Sequence, residues 1–187
     1  ATQRGRIEFA QKGGLVYTDA IDNSAGVDCS DHEVNIKILL GQIVESGDLT
    51  LKQRNTLLAA MTDEVGLLVL GDNYYQTQAL EIANHRPMYL LDGQQRLIKW
   101  LEGAGRLNRN IEFLPSDQEI AQRRARKQGL TAPENAVLLA YAKMSVFDEL
   151  LGSNLPDDPY FNRTLKAYFP KILGERFASA IDNHALK

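Results

Sequence analysis

Asp22-Asn23-Ser24-Ala25-Gly26-Val27-Asp28-Cys29-Ser30-Asp31-His32-Glu33 decides how this chain is read. A short extended run, Leu15-Val16-Tyr17-Thr18-Asp19, leads into it, and an apolar-periodic helix from Glu33 to Val44 leads out. A small-residue turn between the end of a strand and the start of a helix is where α/β proteins hold anionic ligands. Free backbone N–H groups and the positive end of the helix dipole converge there. Ser30 adds a hydroxyl donor, and Asn23 adds an amide that both donates and accepts.

Working outward, Thr2 to Lys12 reads as a short helix stopped by Gly13-Gly14, with Leu15 to Asp19 as one strand after it. From Asp28 onward the text is almost entirely helical. Asp28 to Ser46 comes first, then Thr50 to Ala60. A longer helix begins at Thr62, with Asp63 and Glu64 in its first turn, and stops before Pro87. Leu91 to Glu102 follows, and Arg106 to Leu114 reads as strand or extended loop. Ser116-Asp117-Gln118-Glu119 and Thr131-Ala132-Pro133-Glu134 are capping boxes that open two further helices. Helices at Pro159 to Tyr168 and Lys171 to Asn183 finish the chain, and both ends read as cuts through a longer protein. The expected fold class is mainly α: a helical bundle preceded by a short remnant, helix plus strand, of a Rossmann-type α/β domain. The expected domains are 1–27, the remnant of a dinucleotide-binding catalytic domain, and 28–187, a helical C-terminal domain.

Bulk composition narrows the function. The formal net charge of -3 argues against a nucleic-acid binder, which needs a basic face. No apolar run approaches the ~20 residues of a membrane span, and a cytoplasmic setting is expected. The single cysteine, Cys29, excludes an internal disulfide and a Cys-rich zinc site.

Asn23-x-x-Gly26-Val27-x-x-Ser30-x-x-Glu33 resembles the Asn-Ala-Gly-Gly-Val-x-x-Ser-x-x-Glu signature of glutamate dehydrogenases. The flanking text, Gly13-Gly14 with Thr18-Asp19-Ala20-Ile21-Asp22 before it and Val34-Asn35-Ile36-Lys37-Ile38 after it, is closer still to the large bacterial NAD-specific glutamate dehydrogenases. So are Met61-Thr62-Asp63-Glu64-Val65, Asp72-Asn73-Tyr74, Gly129-Leu130-Thr131-x-Pro133-Glu134 and Leu155-Pro156-Asp157-Asp158-Pro159-Tyr160. The resemblance implies NAD as cofactor and oxidative deamination of L-glutamate to 2-oxoglutarate and ammonia as the parent reaction. It implies that Ser30 binds the substrate carboxylate and that Asn23 and Gly26 lie at the nicotinamide end of the cofactor. Ser24 and Ala25 replace the usual Ala and Gly of the signature. No Gly-x-Gly-x-x-Gly follows a strand, so the pyrophosphate cradle is absent from this chain. The family's catalytic Lys and Asp belong to upstream segments, so no catalytic residue is assigned, and the chain alone is expected to be inactive. Its expected partners are the rest of the parent polypeptide and further copies in a homo-oligomer. The rival reading is a non-catalytic helical regulatory or oligomerisation module of the same large enzyme.

Each candidate also has a plainer reading. Ser30 reads equally as a capping serine, and Asn23 as a turn residue. Asp28, Asp31 and His32 come within mutual reach at helical spacing, but without a second histidine or cysteine they read as acidic residues complementing a helix end, and no metal is expected. Cys29 reads as a small buried residue. Arg123-Arg124-Ala125-Arg126-Lys127 reads as a solvated face. Tyr74, Tyr75, Trp100, Tyr141, Phe147, Tyr160, Phe161, Tyr168 and Phe169 read as core or interdomain contacts.

Overall fold

The computed structural model describes residues 1–185. In order the elements are α1 (Gln3–Gln11), α2 (Asp19–Asp22), α3 (Ser24–Glu45), α4 (Leu51–His85), α5 (Pro87–Gly103), α6 (Asp117–Ala125), α7 (Ala132–Leu151), two 3₁₀ turns (Leu155–Asp157 and Pro159–Phe161), α8 (Asn162–Tyr168) and α9 (Lys171–Asp182). The mainly helical class stands, and no strand occurs among the described residues.

The Rossmann-type remnant with its strand is therefore corrected. Residues 14–18 carry no regular structure, and Leu15 is 96% exposed. A strand needs a neighbouring edge for its backbone groups. Here a side chain serves instead: Arg6 Nη1 donates to the Tyr17 carbonyl at 2.8 Å, and Nη2 donates to Asp19.

The chain packs as two compact units. The first comprises Ala1–Asp22 and Tyr75–Asp148; the second comprises Asn23–Tyr74 and Glu149–Lys187. The first unit is built on Leu91, Ile98, Leu101, Ile120 and Leu138, with Leu107, Leu114 and Leu130 from the connecting loops. Its capping box at Ser116 forms as expected: Ser116 N–H donates to Glu119 at 2.7 Å, and Glu119 N–H donates to the Ser116 hydroxyl at 3.2 Å. At Thr131, the N–H and hydroxyl both donate to Glu134 Oε2, at 2.7 and 2.8 Å. The segment read as strand or extended loop at 106–114 is a turn. Asn108 Oδ1 accepts from the N–H groups of Asn110 and Ile111, and Phe113 takes a positive φ of 55°.

The second unit is built on Ile36, Leu39, Leu40 and Ile43 of α3, Leu57 and Met61 of α4, and Phe169, Leu173 and Ile181 near and along α9. The two helices expected at Thr50–Ala60 and from Thr62 are one unbroken helix, α4. Thr62 caps nothing: its hydroxyl donates to the Leu58 carbonyl at 3.2 Å within the helix, and no glycine or proline interrupts residues 58–65.

Two other expectations are overturned by burial. Cys29 is exposed. Arg123 turns inward, with only 14% of its side chain exposed, to pair with Glu134 at 2.6 Å. Of the aromatic residues expected in a core or an interdomain contact, Phe169 is buried in the core, whereas Tyr74, Tyr75, Phe147 and Tyr160 are each 60% exposed or more and take no part in the core of this chain.

Candidate functional site

The candidate site lies on the first three turns of α3, in the second compact unit. Helix begins at Ser24, four residues before the expected start at Asp28, because the Asn23 carbonyl accepts from the N–H groups of Gly26 (3.0 Å) and Val27 (3.4 Å). Asn23 is thus the N-cap residue, and its side chain makes no capping bond. It folds over the first turn instead. A Cβ at position 26 would sit 2.9 Å from Asn23 Oδ1, so glycine there is what leaves the amide room.

Ser30 lies in the second turn of α3. Its hydroxyl donates to the Gly26 carbonyl at 3.1 Å, so it caps no helix end. At about 100° per residue, Asn23, Gly26, Val27, Ser30 and Val34 share one face of the helix. All five are exposed. The opposite face carries His32, Ile36, Leu39, Leu40 and Ile43, all buried. The three residues singled out in the sequence therefore lie together on an outward stripe.

The acidic cluster regroups. Asp31 accepts from the Tyr168 hydroxyl at 2.6 Å and leaves His32. Asp72 of α4 takes its place, and one ligand-type atom from each of Asp28, His32 and Asp72 lies within 4.8 Å of the others. His32 is 1% exposed and stacks on Tyr168, ring centroids 4.4 Å apart at 16°. Neither His32 ring nitrogen has a hydrogen-bond partner, nor does Asp28 Oδ2. Burial, then the nearby Asp72 charge, raises the Asp28 carboxyl above its ordinary range. Burial, then the bond to Asp31, raises the Tyr168 hydroxyl above the ordinary tyrosine range. Reading along one helix missed Asp72, because no local spacing marks a residue 40 positions away. Nearby, the Ser24 hydroxyl donates to Asn73, whose own amide donates to the Val69 carbonyl at 2.8 Å.

The first unit holds a separate open groove walled by Gly13, Leu15, Tyr17, Glu81, His85 and Thr131, and none of the sequence-predicted site residues lines it.

Comparison with known proteins bears directly on the α3 stripe. Residues 1–83 match the family described as bacterial NAD-glutamate dehydrogenase, catalytic domain, and residues 127–187 match glutamate dehydrogenase, C-terminal. Proteins named NAD-specific glutamate dehydrogenase from Pseudomonas aeruginosa and Halomonas elongata are each 52% identical over 186 residues. One of the same name from Mycobacterium tuberculosis is 46% identical over 186 residues. The chain belongs to the bacterial NAD-specific glutamate dehydrogenase family.

The alignment takes in 100% of this chain but 12% of each of these glutamate dehydrogenases. The stripe of Asn23, Gly26 and Ser30 falls inside the part matching the family's catalytic domain. No solved structure matches the chain. No helix among the described residues is long and apolar enough to cross a membrane.

Proposed function

We propose that this chain forms part of the substrate and nicotinamide wall of an NAD-dependent glutamate dehydrogenase. In the parent reaction L-glutamate loses a hydride from its α-carbon, and hydrolysis of the resulting iminium releases 2-oxoglutarate and ammonia. NAD supplies the hydride acceptor when bound. The observation that carries this reading is the outward stripe on α3: Asn23, Gly26 and Ser30 share one exposed face, opposite the packed one. Ser30 offers its hydroxyl to a substrate carboxylate by turning the proton away from the Gly26 carbonyl that accepts it here. Asn23, held over Gly26, offers a donor and an acceptor to the nicotinamide end. The room left by the missing Cβ at Gly26 fits this use. Proton transfer and pyrophosphate binding are left to segments outside this chain, so the chain alone turns over no glutamate. The same proposal places it in the cytoplasm, within a larger homo-oligomeric polypeptide whose helical C-terminal domain begins in α3.

Ser30→Ala in the full-length enzyme tests the reading. The hydroxyl is bonded only within its own helix, so its loss leaves the melting temperature within about 1 °C, the shift expected of a surface change of a few tenths of a kcal/mol. We expect the KM for glutamate to rise, or kcat to fall, by about tenfold or more, equivalent to at least about 1.4 kcal/mol of lost transition-state or substrate binding. Unchanged kinetics would sink the site role.

A second reading rests on α4. Leu67, Leu70 and Tyr74 recur at helical spacing and are 68%, 65% and 62% exposed, an apolar stripe of the kind that assembly surfaces use. It assigns that stripe to subunit or domain contacts in the parent and leaves the α3 site unchanged.

A further inference from the structure

We infer that Asp28, His32 and Asp72 form a binding site for a divalent transition-metal ion, zinc foremost, which clips the start of α3 to α4 in the second unit. Three observations converge. The first is composition and distance: two carboxylates and one imidazole bring a ligand atom each to within 4.8 Å of one another, from two helices. The second is that His32 is 1% exposed with both ring nitrogens unpartnered. Buried polar atoms are nearly always satisfied, so an imidazole held there without a bond points to a partner of another kind. The third is that Asp28 Oδ2 beside it is also buried and unpartnered.

An ordinary histidine–carboxylate hydrogen bond does not account for the arrangement. His32 Nε2 stands 3.9 Å from Asp28 Oδ1, beyond hydrogen-bond range. A metal bonded to each at about 2.0–2.2 Å sets neighbouring ligand atoms about 3.4 Å apart in tetrahedral geometry. Closing the triad to that size asks for a movement of about 1 Å. Asp72 is exposed on α4 and can turn to supply it. The His32 ring is already fixed in orientation by its stack on Tyr168. Two carboxylates balance the charge of a dication, which suits a site beside a buried ring. The imidazole selects against magnesium and calcium, which take oxygen ligands, and three protein ligands leave at least one position for water. The site faces away from the Asn23, Gly26 and Ser30 stripe, so it stands or falls apart from the proposed substrate role.

The experiment titrates the EDTA-stripped chain with zinc chloride by calorimetry and thermal melting. Cobalt chloride serves as a spectroscopic probe. We expect one saturable zinc equivalent and a higher melting temperature with zinc. Asp72→Asn should keep the metal-free melting temperature but bind zinc at least about tenfold more weakly, the usual consequence of losing part of a metal's shell. Cys29→Ser should bind like the wild type, and the cobalt complex should lack a thiolate charge-transfer band. The inference is overturned by absent saturable binding, by an Asp72→Asn affinity equal to the wild type, or by binding that disappears with Cys29→Ser.

Discussion

At the scale of single residues, the decisive pairings join positions that the sequence does not mark as partners. Glu134 is fully buried and receives both guanidinium nitrogens of Arg123, at 2.6 and 2.8 Å, together with two bonds from Thr131. Burial alone would lower the Arg123 pKa, but the bonds to Glu134 outweigh it and raise the pKa. Removing one member of such a pair strands the other charge, which costs about 3–5 kcal/mol. Glu134→Gln should therefore shift the urea midpoint sharply down, and a double variant with Arg123→Met and Glu134→Leu should recover much of that loss. If the single variant loses less than 1 kcal/mol, the pair is not buried in the way described. The bonds from Thr131 to Glu134 were legible because Thr and Glu stand three positions apart. The Arg123 partnership was not, because a basic run beside acidic residues looks the same whether it faces water or a neighbour.

At the scale of elements, local rules determined helix existence and missed some boundaries. Ser116 and Glu119 form the reciprocal cap that their spacing predicts. Thr62, followed by Asp63 and Glu64, carries the same kind of signal, yet α4 runs straight through it. A cap signal operates only where the preceding residues leave the helix, and Leu57 and Met61 of α4 are both held in the core of the second unit. Thr62→Ala separates the two readings by sign. In a helix interior it gains helix propensity, up to about 0.7 kcal/mol. At a helix start it would cost about 1 kcal/mol. We expect a melting temperature at or above the wild-type value. The shift of the α3 start from Asp28 to Ser24 has the same origin: Ser24 and Gly26 are weak helix formers, and only the completed helix, with α3 packed along its length, carries them in.

At the scale of the whole chain, one contribution to acid stability comes from the network around Asp117. Asp117 accepts from Gln95 at 2.9 Å, lies 3.2 Å from Lys99 Nζ and 3.3 Å from Arg109 Nη1. These partners, the Gln95 bond first, hold its pKa down at about 2. A carboxylate with a depressed folded-state pKa contributes stability that is complete above its unfolded value near 4 and is lost as the pH falls through about 2. The difference in thermal midpoint between wild type and Asp117→Asn should hold steady down to about pH 4 and close by about pH 2. A difference that persists unchanged across that range would mean the ionised carboxylate contributes nothing.

The sequence by itself determined the helical character, the capping box at Ser116 and the family. Each is written in residues a few positions apart or in a contiguous motif, and short-range hydrogen bonds and periodic burial act at that distance. Tertiary structure alone decided that residues 14–18 form no strand, that Asp72 rather than Asp31 faces His32, and that Arg123 turns inward. In each case the outcome depends on which distant group arrives to meet a backbone carbonyl, an imidazole or a charge, and chain order does not encode that arrival.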